Sequence, residues 1–242
     1  MQILGIKVDN LSRAEILEKV KVFLSEDNFH QIATINPEFI LEAQKDAEFK
    51  NVLNNCDLNV ADGVGLRFAF WRNGEKLKAR IAGADMMDEI LYRAEKNNHN
   101  IFLAANNGGL STWEETRDAI LKRYPGLKIG GSNLEKNSAR YELQITDYAI
   151  VFCNFGAPYQ EKFLHSLKSL KNSKIKLGIG VGGSFDYLTG KIRRAPKFAR
   201  RCGLEWLWRL IQQPKRFKRI FRAIIIFPIK IIFSAKGGSA SG

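Results

Sequence analysis

The sequence predicts an α/β fold, a mostly parallel sheet with helices on both faces, followed by a basic helical appendage. Three observations carry this reading. Short apolar runs alternate with longer amphipathic stretches from Gln2 to Gly180. From about Ala195 the alternation stops, and GLEWLWRLIQQPKRFKRIFRAIIIFPIKIIF reads as a helix, a break at Pro214 and a second helix. The charge is split in the same place. Of the 242 residues, 1–190 hold 24 Lys+Arg and 24 Asp+Glu, whereas 191–242 hold 14 basic residues and a single acid, Glu205. A neutral body with a basic, aromatic-rich tail suggests a domain whose appendage meets a polyanion: anionic lipid, nucleic acid or a phosphorylated substrate.

The strands are expected at Gln2–Val8, Gln31–Asn36, Leu58–Ala61, Ile101–Ala105, Leu127–Gly131, Tyr148–Cys153 and Ile175–Gly180. Between them, Ser12–Leu24 opens on a serine cap and puts Ile16, Leu17, Val20 and Leu24 on one helical face. Pro37–Cys56 begins with proline at a first-turn position and repeats Phe39, Ile40, Ala43 and Ala47. Gly83–Lys96, Leu110–Tyr124, Asn137–Gln144 and Pro158–Leu170 read as further helices. In the tail, Leu207, Leu210, Ile211, Phe217, Phe221 and Ile224 form an apolar face, with Arg209, Arg216 and Arg219 on one stripe. Such a helix lies in a membrane interface or packs its apolar face on the body.

Composition narrows the class. At 45% hydrophobic and 26% charged, the chain is not largely disordered. Cys56, Cys153 and Cys202 lie far apart without a CxxC pair, which excludes a disulfide framework or cysteine zinc site and points to a reducing compartment. The first residues lack a basic region followed by an apolar stretch, so no signal peptide is expected. The apolar run Ala223–Phe233 contains Pro228 and Lys230 and falls short of the ~20 residues that cross a bilayer.

In parallel sheets ligands bind outside the carboxyl ends of strands, so the residues just after each strand carry the chemistry. Asp62 follows the run LNVA, in ADGVGL; it suits a general base and equally a cap for a helix over Val64–Trp71. Thr34 and Asn36, in ATINPEF, share one side of a strand end; they can bind sugar hydroxyls, and Asn36 before Pro37 can instead form a turn and cap. GIGVGG (178–183) satisfies G-x-G-x-x-G but follows the last strand, so it is a weak dinucleotide fingerprint; its amides can still meet a phosphate, with Asp186 accepting from a ribose hydroxyl. The turn AANNGGLSTWEE (104–115) can hold a diphosphate at a helix N-terminus or serve only as a turn. Gln160, in GAPYQE, is a neutral donor and acceptor suited to a sugar, or a surface residue. His30, His99 and His165 lack metal or triad spacing, and D-x-D, G-x-S-x-G and GKS/GKT are absent.

In order and spacing, TINPEF, ADGVGL, RIAGADMM, GAPYQEKF, GVGGSFDYLTGKIRRAP and GLEWLWRLIQQPKR resemble the WecG/TagA/CpsF glycosyltransferases (glycosyltransferase family 26) from about residue 2 to about residue 222. The resemblance implies a Rossmann-like catalytic core over 1–194 and an appendage over 195–233 that associates with the membrane and completes the active site. The segment 234–242 reads as a flexible tail of the kind left by cloning. It implies an inverting, metal-independent transfer of a sugar from a UDP-sugar to a polyprenyl-diphosphate-linked sugar, at the cytoplasmic face of the bacterial membrane. The best-known members add N-acetylmannosamine to undecaprenyl-diphospho-N-acetylglucosamine for wall teichoic acid; others use its uronic acid or glucose. No cofactor and no metal are expected, and homo-oligomers are allowed. By motif, Asp62 takes the place of the base, Thr34 and Gln160 of polar partners, and Arg80 of the active-site arginine. Arg209, Arg216 and Arg219 fall on the appendage arginines that reach the diphosphates. AANNGGLS and FCNFGAPYQ depart from the usual pattern and bear on the identity of the donor sugar. A nucleic-acid-binding protein is the competing class, because Arg and Lys interleaved with Phe and Trp bind phosphates and stack bases; the neutral body argues against it.

Overall fold

The computed structural model describes residues 1–136, 145–171, 173–214 and 217–234, without the Arg201 side chain. The expected helix Asn137–Gln144 lies outside these residues, as does Arg216. Six parallel strands form one sheet in the order β4-β3-β8-β7-β5-β6. They are β3 (His30–Ile35), β4 (Leu58–Ala61), β5 (Ile101–Asn106), β6 (Ile129–Leu134), β7 (Ile150–Cys153) and β8 (Leu177–Gly180). Helices cover both faces, as predicted.

Alternation along the strands sorts side chains cleanly. On one face Ile32, Leu58, Val60, Ile101, Leu103, Ile150, Phe152, Leu177 and Ile179 pack under α1 (Arg13–Ser25), α5 (Gly83–Lys96), α6 (Trp113–Leu121) and α8 (Ser184–Leu188). On the other, Ala33, Ile35 and Ala61 pack under α2 (Pro37–Ala43), α3 (Ala47–Asn54) and α4 (Gly65–Arg72). Phe102, Ala104, Val151 and Cys153 continue that face under α7 (Tyr159–Ser166). Gly178 and Gly180 lie on the α7 side of β8. A Cβ on Gly178 would stand 2.8 Å from the Phe29 ring, and one on Gly180 2.3 Å from the Gln160 amide. The glycines of GIGVGG therefore let α7 approach the sheet.

Local chemistry moved several predicted boundaries. The stretch Gln2–Val8 is a small hairpin, β1 (Gln2–Ile3) and β2 (Ile6–Lys7), because Leu4 and Gly5 take positive φ angles of 49° and 77°. Pro37–Cys56 is two helices, because Asp46 accepts from Phe49 N–H at 2.9 Å and starts α3. Thr112 forms a capping box with Glu115, so α6 begins at Trp113 rather than Leu110.

The appendage holds α9 (Lys197–Arg201), α10 (Glu205–Gln212) and α11 (Phe217–Phe221), which runs through a π-helical segment (Arg222–Ile226) into α12 (Phe227–Phe233). The break near Pro214 is present, at Gln213. Pro228 withholds a backbone donor in the first turn of α12, and the chain is wide-wound just before it. None of the expected face residues, Leu207, Leu210, Ile211, Phe217, Phe221 and Ile224, is buried, and the contact with the body comes from others. Ile220, Phe227 and Ile231 are buried, the last two in the core of α2 and α4, while Phe217, Phe221, Ile225, Ile229, Ile232 and Phe233 stand exposed.

Candidate active site

Two backbone bonds set the site at the carboxyl edge of the sheet. Asp62 N–H donates to Ile35 O at 2.6 Å, carrying the β3–β4 ladder one residue past the strand. Ile81 N–H donates to Ala61 O at 3.0 Å, which draws Arg80 and the start of α5 alongside Asp62. The residue before α5, Ala82, offers no capping side chain, and Gly83 N–H bonds the Asp62 carboxylate instead. That carboxylate thus sits on the positive end of a four-turn helix. Asp62 does not cap α4, which starts at Val64 without a side-chain cap. Thr34, buried on the same face, has its hydroxyl 3.5 Å from where a Gly83 Cβ would stand, and so lies beside the start of α5.

Asp62 is half-buried. Burial pushes its carboxyl up to about 6, and the Glu205 carboxylate adds to that; Arg209, Arg80 and the Gly83 amide pull the other way. At neutral pH it is mainly ionised and close to its own titration, the condition that suits a general base. Arg209 arrives from α10 of the appendage. Its Nε donates to the Tyr187 hydroxyl, and its guanidinium lies 5.0 Å from the centre of the Tyr187 ring. Burial opposes its charge, but Tyr187, Glu205 and Asp62 outweigh that and keep it cationic. Arg80 is fixed by donating to Arg200 O at 2.9 Å. Arg194 and Arg200 both reach Asp85, in the first turn of α5, at 2.8 and 3.6 Å. The gap lined by Gly183, Tyr187, Ile192, Arg209 and Gln213 measures about 10 Å³, room for one water.

The other expected residues take more varied places. Gln160 is buried, not a surface residue. Its Oε1 accepts from Gly156 N–H at 3.0 Å and Gly182 N–H at 3.1 Å, and its Nε2 donates to Glu161 at 2.6 Å. Its amide bridges two loops rather than standing open to a ligand. Asn36 caps α2 by accepting from Phe39 N–H at 3.1 Å. Asp186 accepts from Ser111 Oγ at 2.8 Å and so ties α8 to the loop after β5. The amides at the start of α6 are already used: Trp113 N–H by Asn133, Glu115 N–H by Thr112, with Glu114 and Glu115 beside them. That turn is no diphosphate cradle. Arg209 and Arg219 do not share a stripe, because the chain breaks at Gln213; Arg219 instead pairs with Glu38, and Arg222 with Glu42, on α2.

Glu205, Tyr187, Asp85, Arg194 and Arg200 reach the site without having been singled out in the sequence. Glu205 carried a cue, as the single acid in a basic tail; Tyr187 carried none. Among the described residues no three His, Cys, Asp or Glu side chains gather as a metal cage, and the cations facing Asp62 are arginines. A concavity of about 650 Å³ lined by Asn100, Lys128, Asp147 and Tyr148 lies where β5, β6 and β7 begin, at the opposite edge of the sheet.

Comparison with known proteins completes the description of the site. The model described as "Glycosyl transferase WecG/TagA/CpsF family" matches residues 1–240. A protein of Bacillus subtilis (strain 168) is 33% identical over 193 residues, covering 78% of this chain and 74% of its own length. One of Staphylococcus aureus (strain MRSA252) is 32% identical over 241 residues, 96% of this chain and 91% of its own. Both are named N-acetylglucosaminyldiphosphoundecaprenol N-acetyl-beta-D-mannosaminyltransferase, as is a 29% identical protein of Bacillus spizizenii that covers 77% of its own length.

Proposed function

Because the chain belongs to the WecG/TagA/CpsF family of glycosyl transferases, we propose that it transfers N-acetylmannosamine from a UDP-sugar to undecaprenyl-diphosphate-linked N-acetylglucosamine, in teichoic acid or related cell-surface polysaccharide synthesis. The observation that supports this most is the meeting of Asp62, at the sheet's carboxyl edge, with Arg209 from the appendage. An ionised carboxylate beside fixed cations is what a single-displacement transfer from a diphosphate needs. Asp62 takes the proton of the acceptor hydroxyl as that oxygen bonds to the anomeric carbon. The bond from that carbon to the diphosphate oxygen breaks, and UDP leaves with the electron pair. Help from the base is worth ~10²–10⁴-fold. Arg209 and Arg80 stabilise the charge that grows on the diphosphate, and Thr34, beside the Asp62–Gly83 pair, lines the acceptor side.

The appendage supplies Arg209 to the side of the site that faces Asp62, an arrangement that supports its closing over bound substrates. The exposed stripe Phe217, Phe221, Ile225, Ile229 and Phe233, flanked by Lys218 and Lys230, supports peripheral attachment to an anionic membrane on the cytoplasmic side, where the lipid-linked acceptor resides. Among the described residues no helix is long and apolar enough to cross a membrane.

The test is a panel of UDP-sugars against a lipid-diphosphate-N-acetylglucosamine acceptor, reading released UDP. UDP-N-acetylmannosamine should give the fastest acceptor-dependent release, and excess EDTA should not abolish it. Preference for UDP-glucose or UDP-N-acetylmannosaminuronic acid would reassign the donor, and no acceptor-dependent release with any of them would overturn the reading.

A further inference from the structure

Glu161 is a fully buried acid that the transfer chemistry leaves unused. It is the third residue of α7, next to Gln160, and both face β8 at Gly180, which has no Cβ. A Cβ there would stand 2.3 Å from Gln160 Nε2 and 2.6 Å from Glu161 Oε1. We infer that Glu161 is a positioning residue for sugar transfer: its carboxyl, sealed behind Gln160, holds that amide across β7 and β8 and so fixes the two loops bordering the site. The inference rests on the transferase reading above.

The geometry is a chain of bonds with one orientation. Glu161 Oε1 accepts from Gln160 Nε2 at 2.6 Å, which dictates which end of the Gln160 amide is nitrogen and turns its oxygen outward. That oxygen then accepts from Gly156 N–H, in the loop after β7, and Gly182 N–H, in the loop after β8. Gly156 and Gly182 both have positive φ, 75° and 49°, so each amide is aimed by a turn that glycine favours. The Gly182 loop leads directly into α8, which carries Asp186 and the Tyr187 that holds Arg209. An amide rotated end for end would point its NH₂ at two N–H donors, and both loops would lose their common acceptor.

The carboxyl works here as a neutral acid. Gln31, on β3, donates from Nε2 to Glu161 O at 2.9 Å, while Gln31 Oε1 and Glu161 Oε2 are both buried without a partner. An ionised Oε2 would stand buried with no hydrogen-bond donor, which favours the protonated carboxyl. The groups facing Glu161 from the packed elements add no cation: Cys153 from β7 and Cys56 after α3 are thiols held protonated by burial, with Lys168 and Asp57 further out at the Cys56 end. Burial accordingly pushes the Glu161 carboxyl up to about 8.

Three readouts separate this role from ordinary core packing. In Glu161→Leu, hydrogen exchange at Gly156 and Gly182 should accelerate more than at neighbouring β7 and β8 amides, and kcat should fall roughly 10²-fold with little change in KM. Glu161→Gln keeps a neutral group with an acceptor for Gln160 and should restore both. Wild-type kcat should decline as pH rises past about 8, and Glu161→Gln should abolish that decline. Unchanged exchange at both glycines in folded Glu161→Leu, or an identical alkaline decline in Glu161→Gln, would overturn the role. Should Glu161→Leu not fold, the exchange and pH comparison of Glu161→Gln with wild type decides alone. The exchange measurement needs no substrate, so failure of the transferase reading would show as absent UDP release while the glycine protection remained.

Discussion

The core and the appendage handle charge in opposite ways. In the core, positive and negative residues balance, and the acids that matter, the half-buried Asp62 and the buried Glu161, are pushed toward neutrality. In the appendage, 195–233, ten basic residues face one acid, and most described side chains reach solvent. Yet the appendage brings its lone acid and Arg209 toward Asp62, where with Arg80 they act on a carboxylate that burial raises most. The difference teaches a division of labour. The core provides a reactive group whose ionisation is adjustable, and the appendage provides the adjustment together with the cation that the leaving group requires. Arg209 and Arg219 show that the division runs through the appendage itself, one enclosed against Tyr187 and Asp62 and the other exposed against Glu38.

The sharpest way to break this comparison is at Asp62. Asp62→Asn should lower turnover by ~10²–10⁴-fold while leaving donor affinity intact. Because the folded carboxyl titrates near 6 rather than near its ordinary 3.8, the folded state holds the extra proton between those values, and stability falls as pH rises through that window. The amide escapes this loss, so Asp62→Asn should melt higher than wild type at pH 7, and a lower melting temperature would contradict the burial argument. Next in size, Arg209→Ala should cut kcat by ~10²–10³-fold, the scale for losing one group that stabilises developing charge; single-turnover UDP release measures it. Glu205→Gln should move the acid limb of the pH–rate profile to lower pH, since the carboxylate that disfavours Asp62 ionisation is gone, whereas Arg209→Ala should move the limb upward. The smallest effect is expected at Arg219→Ala. Its pair with Glu38 is a surface ion pair worth about 0–1 kcal/mol, so transfer to a water-soluble acceptor should change less than tenfold. A loss as large as that of Arg209→Ala would place Arg219 on the substrate and erase the distinction.

Much of the core was legible because strand and helix periods differ. Asp62 and Thr34 could be placed at strand ends by alternation alone, and the structure sets both at the expected edge. The split of Pro37–Cys56 hid behind its apolar rhythm, because a single capping residue, Asp46, outweighs the pattern it interrupts. The stripe joining Arg209 to Arg219 was drawn by spacing across the very break expected near Pro214, and the break, at Gln213, takes the two arginines apart. Glu205 and Tyr187 stayed hidden for a different reason: their roles depend on α10 docking where Arg209 meets Tyr187 of α8, and no local spacing encodes that long-range docking. Gln160 was visible as a polar residue in the right turn, whereas no pattern in the sequence marked its neighbour Glu161. The glycines at 178 and 180 were the available sign that α7 lies too close to β8 for anything there to stay wet.

Phe227 carries one further consequence. It is fully buried against Gly65, whose Cβ would come within 3.6 Å of its ring, and Ile231 follows it into the same core. Residues 196–226 are therefore tethered at both ends, covalently at the buried Ala195 and by an aromatic plug at Phe227. Closing a loop of that length costs on the order of 3 kcal/mol in chain entropy, and burying one phenylalanine returns about 1.5–3 kcal/mol. The two nearly cancel. Phe227 is thus one hold among several on the segment that carries Arg209, beside the buried Ile220 and Ile231 and the pairs of Arg219 with Glu38 and Arg222 with Glu42, and its loss loosens that segment without freeing it.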